Sequence, residues 1–172
     1  SGGSVTSGSL TLFAAGNAIA LDNGANAFDA VAINGTPSAV SLVNTQSISQ
    51  LGAAAWNLGS APVTLDAGSN AITLNNAGNT FGTLAFTGGE VQVTEAAATD
   101  IGVSSISENL TVDAAGGINV SGALDVTGNV SLTSTDVVTQ SAPLTIGGDL
   151  DVVTTVAAGD VTIDNSGADA TV

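Results

Sequence analysis

The sequence predicts an all-β protein: a right-handed parallel β-helix, or β-solenoid, of about eight coils of 19–21 residues with no substantial α-helix. Three observations carry this reading. Leu110-Thr111-Val112 recurs as Val130-Ser131-Leu132 and again as Leu150-Asp151-Val152, 20 residues apart each time. A second series runs out of phase with it, Leu124-Asp125-Val126 and Leu144-Thr145-Ile146, at the same spacing. Each unit is apolar–polar–apolar, so its first and third residues face one way and its middle residue faces the other. Two short strands per 20-residue turn describe a coil that climbs one strand spacing at a time. Right-handed crossovers are the strong default for such parallel strands.

Taken in chain order, apolar-x-apolar triplets occur at Leu10–Leu12, Ile19–Leu21, Val31–Ile33, Val40–Leu42, Val63–Leu65, Ile72–Leu74, Leu84–Phe86 and Val91–Val93. Sorted by phase, they extend two ladders. One holds Ile72, Val91, Leu110, Val130 and Leu150; the other holds Val63, Leu84, Val103, Leu124 and Leu144. Stacked coils require such near-constant steps, because every coil must return its strands above those below. Between the triplets stand Gly16-Asn17, Asp22-Asn23-Gly24, Asn75 to Asn79, Gly88-Gly89, Gly116-Gly117 and Gly147-Gly148, residues suited to sharp corners. The run Glu95-Ala96-Ala97-Ala98 is too short and too poorly capped for a helix.

Residues 10–35 also match 63–88 at a shift of 53, with identities that include Ile19/Ile72, Leu21/Leu74, Asn26/Asn79 and Phe28/Phe81. That shift is not a multiple of 20, so one coil carries an excursion or the coils between are shorter. Residues 44–62, with Trp56 and Pro62, break the triplet rhythm and are the expected place. The chain is read as one solenoid domain over 1–172, a rod roughly 35–40 Å long at about 4.8 Å per coil.

Composition narrows function sharply. The 172 residues include no Lys, Arg, His, Cys, Met or Tyr, one Trp and four Phe, and the net charge is −15. Nothing can neutralise phosphates, which argues against nucleic acid and anionic membrane surfaces as partners. No apolar run approaches the roughly 20 residues of a transmembrane helix. Ten of the fifteen acids lie from Asp100 onward, and they read as a solvated surface or as adaptation to salt or divalent cations. The chain opens without Met or a signal peptide, so any export signal is expected outside this sequence.

Chemistry is scarce. Without His, Lys or Cys, a nucleophilic triad has no base, and no enzyme activity is expected. Paired carboxylates could cleave glycosides, yet the acids are scattered over corners and outward positions. Asp149 and Asp151, with Asp160 and Asp164 one coil away, are weak calcium candidates, read chiefly as solvated corner acids. They lack both the calcium β-roll signature and an EF-hand loop, and no cofactor is expected. Trp56 is the one strong aromatic platform; it is read as packing within the irregular segment, with contact to a glycan or other partner as the alternative. An ice-binding face would need a regular outward Thr column, which the mixture of Thr, Ala, Gln, Ser and Asp does not supply. Glycosylation sequons at Asn34, Asn109, Asn119 and Asn129 are about as numerous as chance provides in so Asn-, Ser- and Thr-rich a chain.

The segments Asn75-Asn76-Ala77-Gly78-Asn79-Thr80-Phe81-Gly82-Thr83-Leu84 and Gly88-Gly89-Glu90-Val91-Gln92-Val93-Thr94 resemble the repeats of filamentous-haemagglutinin-like giant surface proteins of Gram-negative bacteria. That resemblance implies a secreted shaft at or beyond the cell surface, built from coils of about 19–20 residues. The absence of Lys and Arg departs from many relatives and fits surroundings rich in protease or salt. The expected function is therefore structural: a rigid, non-catalytic segment of an extracellular adhesin or fibre. Neither terminus carries a capping signature, which favours end-to-end stacking on neighbouring repeats or on another copy, and with it a filament-subunit alternative. A polysaccharide-binding or polysaccharide-cleaving β-helix is the third reading.

Overall fold

Each coil must bring its strands back above those of the coil before, and the parallel register shows how it does so. The computed structural model describes residues 3–155 and 160–163, and these contain strands, turns and no helix. The first coils have two strands each: β1 (Thr6–Ala15), β2 (Ile19–Leu21), β3 (Ala27–Thr36), β4 (Val40–Val43), β5 (Ile48–Gln50), β6 (Val63–Asp66), β7 (Ile72–Leu74) and β8 (Thr83–Gly88). From there each coil has three strands: β9 (Val91–Glu95), β10 (Thr99–Ile101) and β11 (Ser104–Ile106); then β12 (Leu110–Ala114), β13 (Ile118–Val120) and β14 (Leu124–Val126). β15 (Val130–Ser134), β16 (Val138–Gln140) and β17 (Leu144–Ile146) form the next, followed by β18 (Leu150–Thr154) and β19 (Val161–Ile163). All pairings are parallel, and the whole is a β-solenoid of about eight turns.

One face is a single sheet in the order β1-β3-β5-β7-β9-β12-β15-β18. Its registers align Ile72 with Val91, Val91 with Leu110, Leu110 with Val130 and Val130 with Leu150, which is the first ladder of the sequence. The second ladder holds at Val63–Leu84 and Leu124–Leu144 but not at Val103. There the coil changes shape. β8 is paired on one side by β6 alone and on the other by both β10, against Thr83 and Leu84, and β11, against Thr87 and Gly88. A two-strand coil thus becomes a three-strand one, where two strands per turn were expected throughout.

Ser104 closes the split. Its Oγ accepts the N–H of buried Phe86 at 3.0 Å and donates to Gly102 O at 3.0 Å, replacing the ladder bonds that the divergence removes. Val103 is thrown outward to 72 % exposure, and Ser104 takes the inward place beneath Leu124. The third column that results, Thr99–Ile118–Val138–Val161 on β10, β13, β16 and β19, is absent from the two-ladder reading.

The enlarged coil falls in the stretch near 44–62. Val40 pairs with Val63 and Ile48 with Ile72, steps of 23 and 24 residues. Trp56 fills the added space, wholly buried, with Nε1 donating to Val31 O at 3.2 Å. The shift of 53 has a structural meaning too. Asn26 donates to Leu21 O and Val43 O while accepting the Val5 N–H; Asn79 donates to Leu74 O and Thr94 O while accepting the Trp56 N–H. The same buried Asn corner recurs, but after β2 on one face and after β7 on the other, so the shift is whole coils plus a step between faces. Inside, aliphatic columns run from Ala14 to Ile146 as one continuous core, capped at either end by half-buried Leu10, Leu12, Leu150 and Val152.

Candidate functional site

Outward positions on β8, β10, β13 and β16 form one polar column. Register places Thr83 against Asp100, Asp100 against Asn119, and Asn119 against Thr139, with Thr162 next in line on β19. The side chains are tied along the axis. Thr83 Oγ1 donates to Asp100 Oδ2 at 2.7 Å, Asn119 Nδ2 to Asp100 Oδ1 at 2.9 Å, and Thr139 Oγ1 to Asn119 Oδ1 at 3.0 Å. All four are half-buried. Beside them runs an open groove of about 550 Å³, lined by Ala98 and Gly117 and reaching from Phe81 to Val137. The corner column there is Ala98, Gly117 and Val137, and two small residues below a larger one leave the hollow.

A second column stands at the corner before the first face. Asn109 Nδ2 donates to Glu90 Oε2 at 3.0 Å; the backbone N–H of Asn129 donates to Asn109 Oδ1, and that of Asp149 to Asn129 Oδ1, both at 2.8 Å. These contacts engage the side chains of three sequon residues, Asn109, Asn119 and Asn129, within the coil stack, whereas Asn34 is exposed on β3. Inside the coil, Glu95 is buried, with Oε1 accepting the Phe81 N–H at 2.7 Å and Oε2 accepting the Thr99 hydroxyl at 2.8 Å. Burial pushes its carboxyl above the usual range, and the two hydrogen bonds pull it back part of the way.

The four acids named as calcium candidates do not converge in what is described. Asp149 and Asp151 flank the start of β18 on the first face, Asp151 exposed and in register with Ser131. Asp160 precedes β19 on the second face, its carbonyl accepting the Val138 N–H at 3.0 Å. Asp164 lies outside the described residues. Among the described residues, no three His, Cys, Asp or Glu side chains are grouped closely enough to hold a metal ion. Trp56, with no exposed surface, presents no ring for a sugar or protein to stack on. The Thr83–Asp100–Asn119–Thr139 column escapes the triplet pattern because Asp100 belongs to no apolar-x-apolar triplet. Its signal was there in Asn119 and Thr139, 20 residues apart at the middle of Ile118–Val120 and Val138–Gln140.

Parallel coils, aliphatic columns and stacked polar corners define this chain as a repeat β-helix protein. The match to a family model agrees: residues 29–87, 88–137 and 120–172 each match the family described as repeats of unknown function (DUF5649). The chain belongs to that family. No curated protein and no solved structure matches it. No helix among the described residues is long and apolar enough to cross a membrane.

Proposed function

We propose that this chain is a rigid spacer, one segment of the shaft of an extracellular surface adhesin or fibre related to the filamentous-haemagglutinin-like proteins, with no catalysis of its own. The observation that carries the proposal is the uninterrupted use of the chain. Inward residues fill the columns, backbone groups pair between coils, and the polar corner residues bond up and down the stack. A stack held together along its whole axis resists bending and stretching, which is the property a shaft requires. The acidic, base-free surface keeps such an apolar-rich rod dispersed and withholds Lys and Arg from trypsin-like proteases.

The test is where the protein resides. Antiserum against the chain is expected to label intact cells of the organism that makes it; labelling that needs permeabilised cells would overturn the proposal. End-to-end stacking, on a neighbouring repeat or on another copy, is favoured by one feature. Among the described residues the ten-residue strand β1 is paired by β3 alone, and Phe13 on it is 74 % exposed. Unbranched fibres in electron micrographs of the purified chain would identify the self-assembling form.

A further inference from the structure

The groove is walled on one side by the Thr83–Asp100–Asn119–Thr139 column, and its chemistry is selective. We propose that it binds an extended, uncharged polysaccharide lying along the solenoid axis.

Three observations select that class of ligand. First, the column keeps unused hydrogen-bonding capacity at every level. An ionised carboxylate has about four acceptor sites, and Asp100 spends one each on Thr83 and Asn119. Asn119 commits one amide hydrogen to Asp100 and retains the other, and Thr139 donates to Asn119 while its oxygen still accepts. Acceptor, donor and acceptor therefore follow one another at the strand spacing of about 4.8 Å, an array suited to a chain bearing hydroxyls at each residue.

Second, the backbone around the groove is already committed. Thr99 N–H donates to Gly117 O, Ile118 N–H to Val137 O, and Ile101 O accepts both Ser121 and Gly122. An extended peptide recognised by strand addition finds no open edge along the groove, where β10, β13 and β16 are each paired on both sides. Recognition has to go through side chains, as it does for sugars.

Third, charge removes the alternatives among polymers. With 15 acids and no Lys or Arg, the surface repels nucleic acids, uronates and sulfated glycans alike. Asp100 is the one acid lining the groove, and no three ligating side chains are grouped among the described residues, so the groove is not built for a cation in particular. Val137, 38 % exposed at one end, offers an apolar surface to the C–H face of a pyranose.

Isothermal titration with cellohexaose, xylohexaose and mannohexaose, alongside a heparin hexasaccharide, tests the proposal. Saturable binding of at least one neutral hexasaccharide and none of heparin is expected. The affinity should fall about tenfold or more, the worth of one or two hydrogen bonds, in both Ala98→Gln and Asn119→Ala. Ala98 is exposed and outside the column, so Ala98→Gln fills the groove while leaving those bonds intact even if Asn119→Ala disturbs the stack. Absence of saturable binding by all three neutral sugars, binding that Ala98→Gln leaves unchanged, or a preference for heparin would each overturn it. None of these results bears on where the protein resides, so the shaft proposal stands or falls separately.

Discussion

Glu95 sits inside the coil between the Phe81 N–H and the Thr99 hydroxyl, and its burial raises its carboxyl above the usual range. The folded chain therefore holds that proton more tightly than the unfolded chain does. The stability this difference contributes is fully present below the unfolded value and is lost as pH rises through the folded one. Urea unfolding at about pH 4 and about pH 7, spanning the ordinary range of a carboxyl, should show wild type losing stability relative to Glu95→Gln. A difference between the two proteins that stays constant with pH would show that Glu95 plays no such part. Other acids repel one another more as pH rises, which is why the comparison with Glu95→Gln is needed. Ser104 illustrates the opposite arrangement: a small neutral hydroxyl supplies both an acceptor and a donor where the backbone ladder divides.

At the scale of elements, glycine has two different uses. Gly16, Gly35, Gly52, Gly59 and Gly68, all before β7, have positive φ; of the corner glycines read from the sequence only Gly16 is among them, and Gly35 lies within β3. Gly122 and Gly147, at corners of the later coils, are required by contact instead. A Cβ on Gly122 would lie 2.1 Å from Val103 N, and one on Gly147 would lie 2.2 Å from Thr127 O. Successive coils touch backbone to backbone at these corners. Gly122→Ala is accordingly expected to destabilise by about 2 kcal/mol or more, as overpacking does. Gly24→Ala, where nothing lies within 4 Å of the added carbon, should fall within about 0.5 kcal/mol of wild type. Chemical denaturation of both variants checks this, and equal effects would remove contact as the explanation.

The whole molecule is a column with fifteen negative charges and no positive side chain. Burial in the aliphatic columns has to outweigh that repulsion, which acts between charges on neighbouring coils. Raising NaCl from about 10 mM to about 500 mM shortens the Debye length from roughly 30 Å to a few ångströms, so Tm should increase before it levels off. A flat or falling Tm in calorimetry would mean that the acids are already too well separated to matter. Hydrophobic burial is also laid down coil by coil, so opening should begin at the half-buried ends, at Leu10 and Leu150, rather than at Leu110.

Much of this was legible in the residues, and the parts that were not have a common cause. The step from Leu110 to Val130 to Leu150 named the fold because stacking forces like residues to recur at the coil length, and nothing but sequence is needed to count it. Local pattern could also place Trp56 in an irregular coil. It could not say that the ring is wholly enclosed, because burial depends on what the next coil lays over it. The near-constant step places Val103 in a ladder position that belongs to Ser104, since an apolar residue at that spacing outweighs a lone serine until the division of β8 is seen. The Thr83, Asp100, Asn119 and Thr139 column is the same case. These residues lie 17 to 20 positions apart in the chain and touch only because parallel strands bring them into register. Periodicity alone determined that this protein is a coiled stack of about eight turns. Only the tertiary structure decided which side chains face one another across the coils, because that depends on where each coil turns its corner.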